Sequence, residues 1–265
     1  NILRALKKKF KISLIVLSRK NLNGGFHKKI KKLNINILYF EKNINKIYQI
    51  IKQIKPDFII CAGFPKLIPQ SILSIATTSS INLHGGRAPL YLGASTLNWQ
   101  IINNEKYIYI TALKMNSIID GGPIIAEKRL KISDNDYFDK IKKKINILFS
   151  KLCIKAINNQ KNKHKTKNVP LSKRIYWRQR KSADSKIVLK NSNSLKIFNI
   201  IRSSSLKNYP AYLIYKKNKY ILIKSKINNY KFIGGKNKII VKKSYIIINF
   251  KDNHLKITKF RKVKY

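Results

Sequence analysis

Apolar positions along this chain follow two different rules, and the change from one to the other divides it. Ile2, Leu3, Leu6 and Phe10 fall at helical spacing and read as the end of a helix. ISLIVL (12–17), NINILYF (34–40), DFIICAG (57–63) and SINL (80–83) are short apolar runs that read as buried parallel strands. Ile44, Ile47, Ile51 and Ile54 mark a helix after the second run, and a short helix is predicted near Gln70. Ala94 to Asn103 reads as a helix packing through Leu97, Trp99 and Ile101 or Ile102, and YIYITALKM (107–115) and PIIAEKRL (123–130) read as strands. Ser133 or Asp134 is the expected cap of a long helix with Phe138, Ile141, Ile145, Leu148 and Leu152 on one face. This alternation predicts an α/β fold with a doubly wound, Rossmann-like sheet, its ligands bound at the carboxyl ends of the strands.

The pattern then breaks. NNQKNKHKTKN (158–168) is charged and aperiodic and reads as a linker between domains at 1–160 and 169–265. Beyond it, NSLKIFNIIRSS (193–204) reads as one helix. AYLIY, YILIK, FIGG, KIIVKK, YIIINF and LKITKF read as short strands, for which an OB-like β-barrel is the economical architecture. A doubly wound fold opens with a strand, whereas this chain opens in a helix, so a central strand is expected upstream of Asn1. Without it, each buried backbone group left unpaired costs on the order of a kcal/mol, and the 265-residue chain is expected not to be stable alone.

Composition adjusts this picture only slightly. Lys and Arg number 58 against 10 Asp and Glu, for a net charge of +48. Such an excess suggests a polyanion as partner. However, Lys, Ile and Asn are abundant in every stretch, so the charge reads as a chain-wide bias covering a solvated surface. Cys61 lies in an apolar strand and Cys153 in a helical pattern, which is how reduced core thiols of a cytoplasmic protein are placed. The run after Lys7 to Lys9 is too short for a signal peptide, and none is long enough to span a membrane. His27, His164 and His254 sit among lysines without metal-ligand spacing, so they read as exposed and no metal is expected.

The chemistry concentrates in NLHGGRAPLYLGASTLNW (82–99), read together with Asp120. Asn82 and His84 leave the same face of an extended strand. Gly85 and Gly86 then let the backbone turn and bring bare N–H groups near a ligand. An amide, an imidazole and a carboxylate suffice for acyl transfer: Asn donates to a developing oxyanion, His carries a proton, and Asp fixes the His tautomer.

Residues 57 to 128 resemble the core of the folate-dependent formyltransferases, the family that includes methionyl-tRNA formyltransferase and the amino-sugar N-formyltransferases. The family pattern stands here as Asn82, His84, Gly85-Gly86-Arg87-Ala88-Pro89, Tyr91-Leu92-Gly93 and Asp120-Gly121-Gly122. Leu92 departs from it, standing where the family has Arg. Arg180, Asp184, Ile187 and Ile201-Arg202 resemble the signature of the family's second domain. The resemblance implies transfer of a formyl group from N10-formyltetrahydrofolate to a primary amine. Asn82 and His84 are then expected to stabilise the oxygen, each such donor being worth roughly 2.7–4 kcal/mol, while Asp120 orients His84 and helps take the amine proton. Donor contacts are expected from Gly63, Phe64, Gly86, Arg87, Ala88, Pro89, Met115 and Asp120, with the pterin against loops 63–67 and 115–120.

For the acceptor, two features lean toward a nucleotide-linked amino sugar. Ser95-Thr96-Leu97-Asn98-Trp99 resembles the sugar enzymes, and the connection from Leu17 to Asn34 is short where the tRNA enzymes carry a longer basic insertion. A second domain and the positive charge suit initiator tRNA instead. Trp177-Arg178-Gln179-Arg180 suits either a nucleotide or domain docking. A non-catalytic module gripping single-stranded nucleic acid is the alternative of another class, although the interleaved aromatic stripe it needs is missing. A formyl-folate hydrolase would use the same three side chains. Oligomeric state is left open.

Overall fold

The computed structural model describes residues 1–18, 29–40, 44–190, 192–206, 209–228, 238–251 and 253–263. They form two compact units, one of residues 1–92, 109–129 and 145–175, the other of 93–108, 130–144 and 176–265.

In the first unit, α1 (Ile2–Lys7) leads into β1 (Ile15–Leu17), which pairs in parallel with β2 (Ile37–Tyr39). Strand alternation sends Ile15 and Leu17 to one side, against Leu3 and Ile30. Leu14 and Val16 go to the other side, against Ile47 and Ile51 of α2 (Ile44–Ile54). Apolar runs unbroken by polar residues are what such two-sided burial requires. β3 (Phe58–Ala62) is joined through α3 (Gln70–Leu73) to β4 (Ser79–His84), and the two strands are parallel. Helix α2 also packs on Ile59 of β3, yet among the described residues β1 and β3 do not pair with each other, so the layer is in two pieces.

After α4 (Thr96–Ile102), β5 (Tyr107–Lys114) returns antiparallel to β4, with His84 opposite Thr111, and β6 (Ile124–Lys131) completes the order β3-β4-β5-β6. The sheet is therefore mixed rather than wholly parallel. Helix α4 buries Thr96, Gln100 and Ile101, not the expected Leu97 and Trp99. The polar ends of Asn98 and Trp99 are taken by the carbonyls of Ser203 and Arg178 (2.8 and 2.9 Å).

Helix α5 (Phe138–Lys161) starts later than its expected cap. The Ser133 amide and hydroxyl both donate to Asp136 Oδ2 (3.0 and 3.2 Å), and Asp134 pairs with Arg202 (3.0 Å) instead. These short polar side chains make a turn before the helix rather than its first hydrogen bond. The helix also runs into the expected linker, and Lys167 exchanges two backbone hydrogen bonds with Ile124 (2.8 and 2.9 Å). Backbone pairing needs no apolar periodicity, so the aperiodic sequence concealed it.

In the second unit, α6 (Ser194–Ser203) packs Ile197 and Ile201 onto a five-stranded antiparallel sheet. Its strands are β7 (Tyr212–Tyr215), β8 (Asn218–Asn228), β9 (Ile239–Val241), β10 (Ile246–Asn249) and β11 (His254–Val263), in the order β9-β10-β11-β8-β7. Leu213, Leu222, Ile246, Ile248, Leu255 and Ile257 form the core beneath the helix. The register of β8 shifts between Leu222 and Ser225, a bulge of the kind that bends a strand. The expected FIGG strand lies outside the described residues. His254 is buried rather than exposed, because β11 is the central strand and His254 sits between Asn228 and Asn249. Arg180, fully buried, donates to Ser203 O and Ser185 Oγ (3.1 and 2.8 Å) at the C-terminal end of α6, where a cation is favoured.

Asp136 is 4% exposed. Burial works to raise its carboxyl, but bonds from Lys140, the Ser133 amide and Lys144 outweigh this and hold it well below the usual carboxylate range. Its stabilisation is therefore complete above about pH 3.9 and fades as acid titrates it below that value. Asp136→Asn is expected to cost about 1.5–3 kcal/mol near pH 7. Denaturant melts of both proteins from pH 7 to pH 2 check this, and the difference between them should shrink in acid.

Candidate active site

β4 carries Ile81 and Leu83 into the core on one face, and Asn82 and His84 on the other. Asp120 reaches them from the loop joining β5 to β6. That loop is closed by Lys114 N donating to Pro123 O (2.9 Å) and Gly121 N donating to Ile118 O (3.1 Å). Asp120 has φ +49°, in the left-handed region, which an Asp adopts more readily than most non-glycine residues but which still favours contacts that hold it there. Gly122 must lack a side chain, because a Cβ there would collide with the carbonyl of Lys114.

Three groups meet. Asn82 Nδ2 donates to Asp120 Oδ1 at 2.6 Å, and His84 Nδ1 lies 3.4 Å from Asp120 Oδ2. His84 Nε2 is 2.6 Å from the carbonyl of Tyr91. A carbonyl only accepts, so Nε2 carries a hydrogen and donates it. Nδ1 thereby faces the carboxylate: in the charged ring it donates to Asp120 Oδ2, and in the neutral ring both are acceptors, joined by a hydrogen bond only when the carboxyl holds the proton. His84 and the Asp120 side chain are 6% and 9% exposed, which strengthens these polar contacts relative to water.

The expected donor contacts divide. Cys61 stands opposite Asn82, so Gly63 leaves β3 level with His84; it is exposed, has φ +64°, and has open space beside its Cα. Phe64 next to it stacks edge-on against Phe40 (5.0 Å). Leu67, on the loop after β3, and Ile118 and Ile119, just before Asp120, are exposed. Gly86 is buried and Arg87 exposed, with its guanidinium 4.5 Å over the ring of Tyr109. Ala88 turns into an apolar cluster with Leu92, Leu113 and Ile124, and Pro89 O accepts from Ile175 N (2.9 Å). Met115 donates its amide to Ser80 O (2.8 Å), four positions before His84 along β4. Leu92, where the family has Arg, is thus a core residue. Burial, with the Asp120 charge adding, pushes the Cys61 thiol up to about 11 although a hydrogen bond with the Phe64 backbone opposes it, so Cys61 stays neutral. Among the described residues no three His, Cys, Asp or Glu side chains are grouped to hold a metal.

A formyl transferase family model matches residues 4–157, more than half of the chain. The chain belongs to the formyl transferase family. The methionyl-tRNA formyltransferase of Thermodesulfovibrio yellowstonii is 30% identical over 210 residues, covering 78% of this chain and 66% of the relative. The bifunctional polymyxin resistance protein ArnA of Wigglesworthia glossinidia brevipalpis is 32% identical over 246 residues, covering 91% and 36%. The chain thus spans less than two thirds of the length of either relative. Among solved structures it is similar to the N-formyltransferase from Helicobacter canadensis in complex with folinic acid and dTDP-3-aminofucose, with a TM-score of 0.73, 23% identity, and coverage of 98% of this chain and 95% of that one. The fold is shared nearly end to end.

Within this formyl transferase fold, two contributors escaped the sequence reading. The Tyr91 carbonyl acts through backbone, which no side-chain pattern reports. Thr111, fully buried, donates from Oγ1 to Gly86 O (2.8 Å) and accepts from Ala88 N (3.3 Å), tying down the loop after His84. Its signal was a hydroxyl inside the apolar run 107–115. Thr111→Val keeps the shape but strands both backbone groups. A loss of about 1–3 kcal/mol is expected, read by denaturant unfolding, with an unchanged midpoint counting against the assignment.

Proposed function

We propose that the chain transfers a formyl group from N10-formyltetrahydrofolate to a primary amine, and that the amine belongs to a nucleotide-linked sugar. The observation that carries the reading is the contact of one carboxylate, Asp120, with both Asn82 and His84 at the carboxyl end of β4. The donor supplies an acyl carbon whose oxygen gains negative charge as an amine adds to it; when that adduct collapses the bond from the carbon to N10 breaks, and N10 leaves as the amine of tetrahydrofolate, taking up a proton equivalent to the one the attacking amine gives up. Asn82 has a second Nδ2–H beyond the one given to Asp120, and that hydrogen can meet the oxygen. His84, held through Nε2 by Tyr91, keeps Nδ1 against Asp120, so the proton leaving the amine has a carboxylate–imidazole pair to enter. Exposed Leu67, Ile118 and Ile119 and the bare backbone at Gly63 suit a flat heterocycle beside these polar groups.

The sugar acceptor is supported by the likeness, over nearly the whole of both chains, to an enzyme whose structure holds dTDP-3-aminofucose. Initiator tRNA is the second reading, favoured by methionyl-tRNA formyltransferase relatives and by the net charge of +48. We read the five-stranded sheet of the second unit as an open barrel of the OB type. The free, buried thiols of Cys61 and Cys153 support a reducing, cytoplasmic setting.

Incubation with N10-formyltetrahydrofolate and either a dTDP-linked 3-amino sugar or methionyl initiator tRNA tests both readings. Formylated sugar is expected, and Asn82→Ala or His84→Ala should each lower kcat by about 10²–10³. Formylation of the tRNA alone replaces the acceptor. Salt-sensitive nucleic-acid binding without turnover, or full activity in Asn82→Ala, overturns the proposal.

A further inference from the structure

The left-handed turn at Asp120 needs something to hold it, and the surroundings name a candidate outside every motif considered above. Arg174 Nη2 donates to Gly121 O at 2.7 Å and to Val169 O at 2.9 Å. Its Nη1 packs on the Gly121 backbone, where a Cβ would lie 2.8 Å from it, while Nε and Nη1 are themselves buried without a hydrogen-bond partner. A guanidinium buried on two carbonyls in this way is costly unless the carbonyls stay in place, so cation and turn hold each other. The next residue continues the arrangement. Ile175 donates its amide to Pro89 O (2.9 Å), and its carbonyl accepts from Leu92 N (3.0 Å). These two bonds straddle Tyr91, whose carbonyl fixes His84. Two consecutive residues thus reach both halves of the site: the turn that carries the carboxylate and the loop that orients the imidazole.

We propose that Arg174 is a positioning residue for formyl transfer, holding the Asp120 turn at the distance from Asn82 and His84 that the reaction needs, with Ile175 as its backbone counterpart on the Tyr91 loop. The inference rests on the formyl-transfer reading. It goes beyond that reading in assigning a role to a side chain that touches neither donor nor acceptor.

The test compares Arg174→Met, Arg174→Lys and Asn82→Ala, using N10-formyltetrahydrofolate and whichever of the two acceptors the wild-type chain formylates. Arg174→Met is expected to lower kcat by about 10- to 100-fold with KM for both substrates within about twofold, the signature of misplacement rather than lost binding. Arg174→Lys, which can still donate to both carbonyls, should fall between Arg174→Met and the wild type. Amide hydrogen exchange, which needs no turnover, should speed up in Arg174→Met over residues 116–122 and stay unchanged in β4 and β5. Wild-type kcat with unchanged exchange in that turn overturns the proposal, as does exchange raised uniformly across the unit with KM and kcat lost together. If Arg174→Met does not fold, Arg174→Lys decides alone: about a tenfold loss of kcat supports the role, and wild-type kcat ends it. Full activity in Asn82→Ala would instead remove the formyl-transfer reading and leave the exchange result standing.

Discussion

Everything in the site depends on one carboxylate being carried back over the sheet. Asp120 is thirty-six residues beyond His84 in the chain, yet one of its oxygens accepts from the Asn82 amide and the other faces the imidazole. Strand β4 supplies the two partners by ordinary alternation, and β5, antiparallel to β4, sets up the return. The loop from β5 to β6 then has to place a non-glycine residue in a left-handed conformation. That conformation is held because Gly121 and Gly122 let neighbouring backbone and Arg174 approach closely on one side, while Asn82 and His84 hold the side chain on the other.

Three other described carboxylates show by contrast what Asp120 is. Asp136 is held by Lys140 and Lys144, Asp184 by Arg178, and Asp134 by Arg202, ion pairs that anchor local structure. In a chain with 10 acidic and 58 basic residues, a carboxylate meeting a lysine or arginine is the default. Asp120 meets an amide and a titratable ring. That pairing does little for stability that a Lys could not do better, and it makes chemical sense where a proton has to move.

Much of this was legible in the chain itself, and the exceptions have physical causes. Strands and helices of the first unit were visible wherever burial on both faces demanded unbroken apolar runs, as in 12–17 and 57–63, or where helical spacing was strict, as in 44–54. Asn82, His84 and Asp120 were visible because three polar residues stood where strand and turn residues were otherwise expected. Features carried by backbone were invisible: the Tyr91 carbonyl, the pairing of Lys167 with Ile124, and the register that buries His254 beside two asparagines. Arg174 was hidden by composition, since one more cation among 58 carries no signal until its partners are known. Arg202 could be singled out only through resemblance, and Arg180 through resemblance and its place after Trp177-Arg178-Gln179; both proved to be buried and hydrogen-bonded within the second unit.

The central claim is that Asn82 and Asp120 act as one unit in moving a formyl group. A double-mutant cycle tests it most directly, with kcat for transfer from N10-formyltetrahydrofolate measured in Asn82→Ala, Asp120→Asn and the pair. If the two side chains share one task, the double variant will lose about as much as the worse single variant, because the second change removes an interaction already gone. Losses that multiply independently would show that each residue works without the other, and would contradict the account.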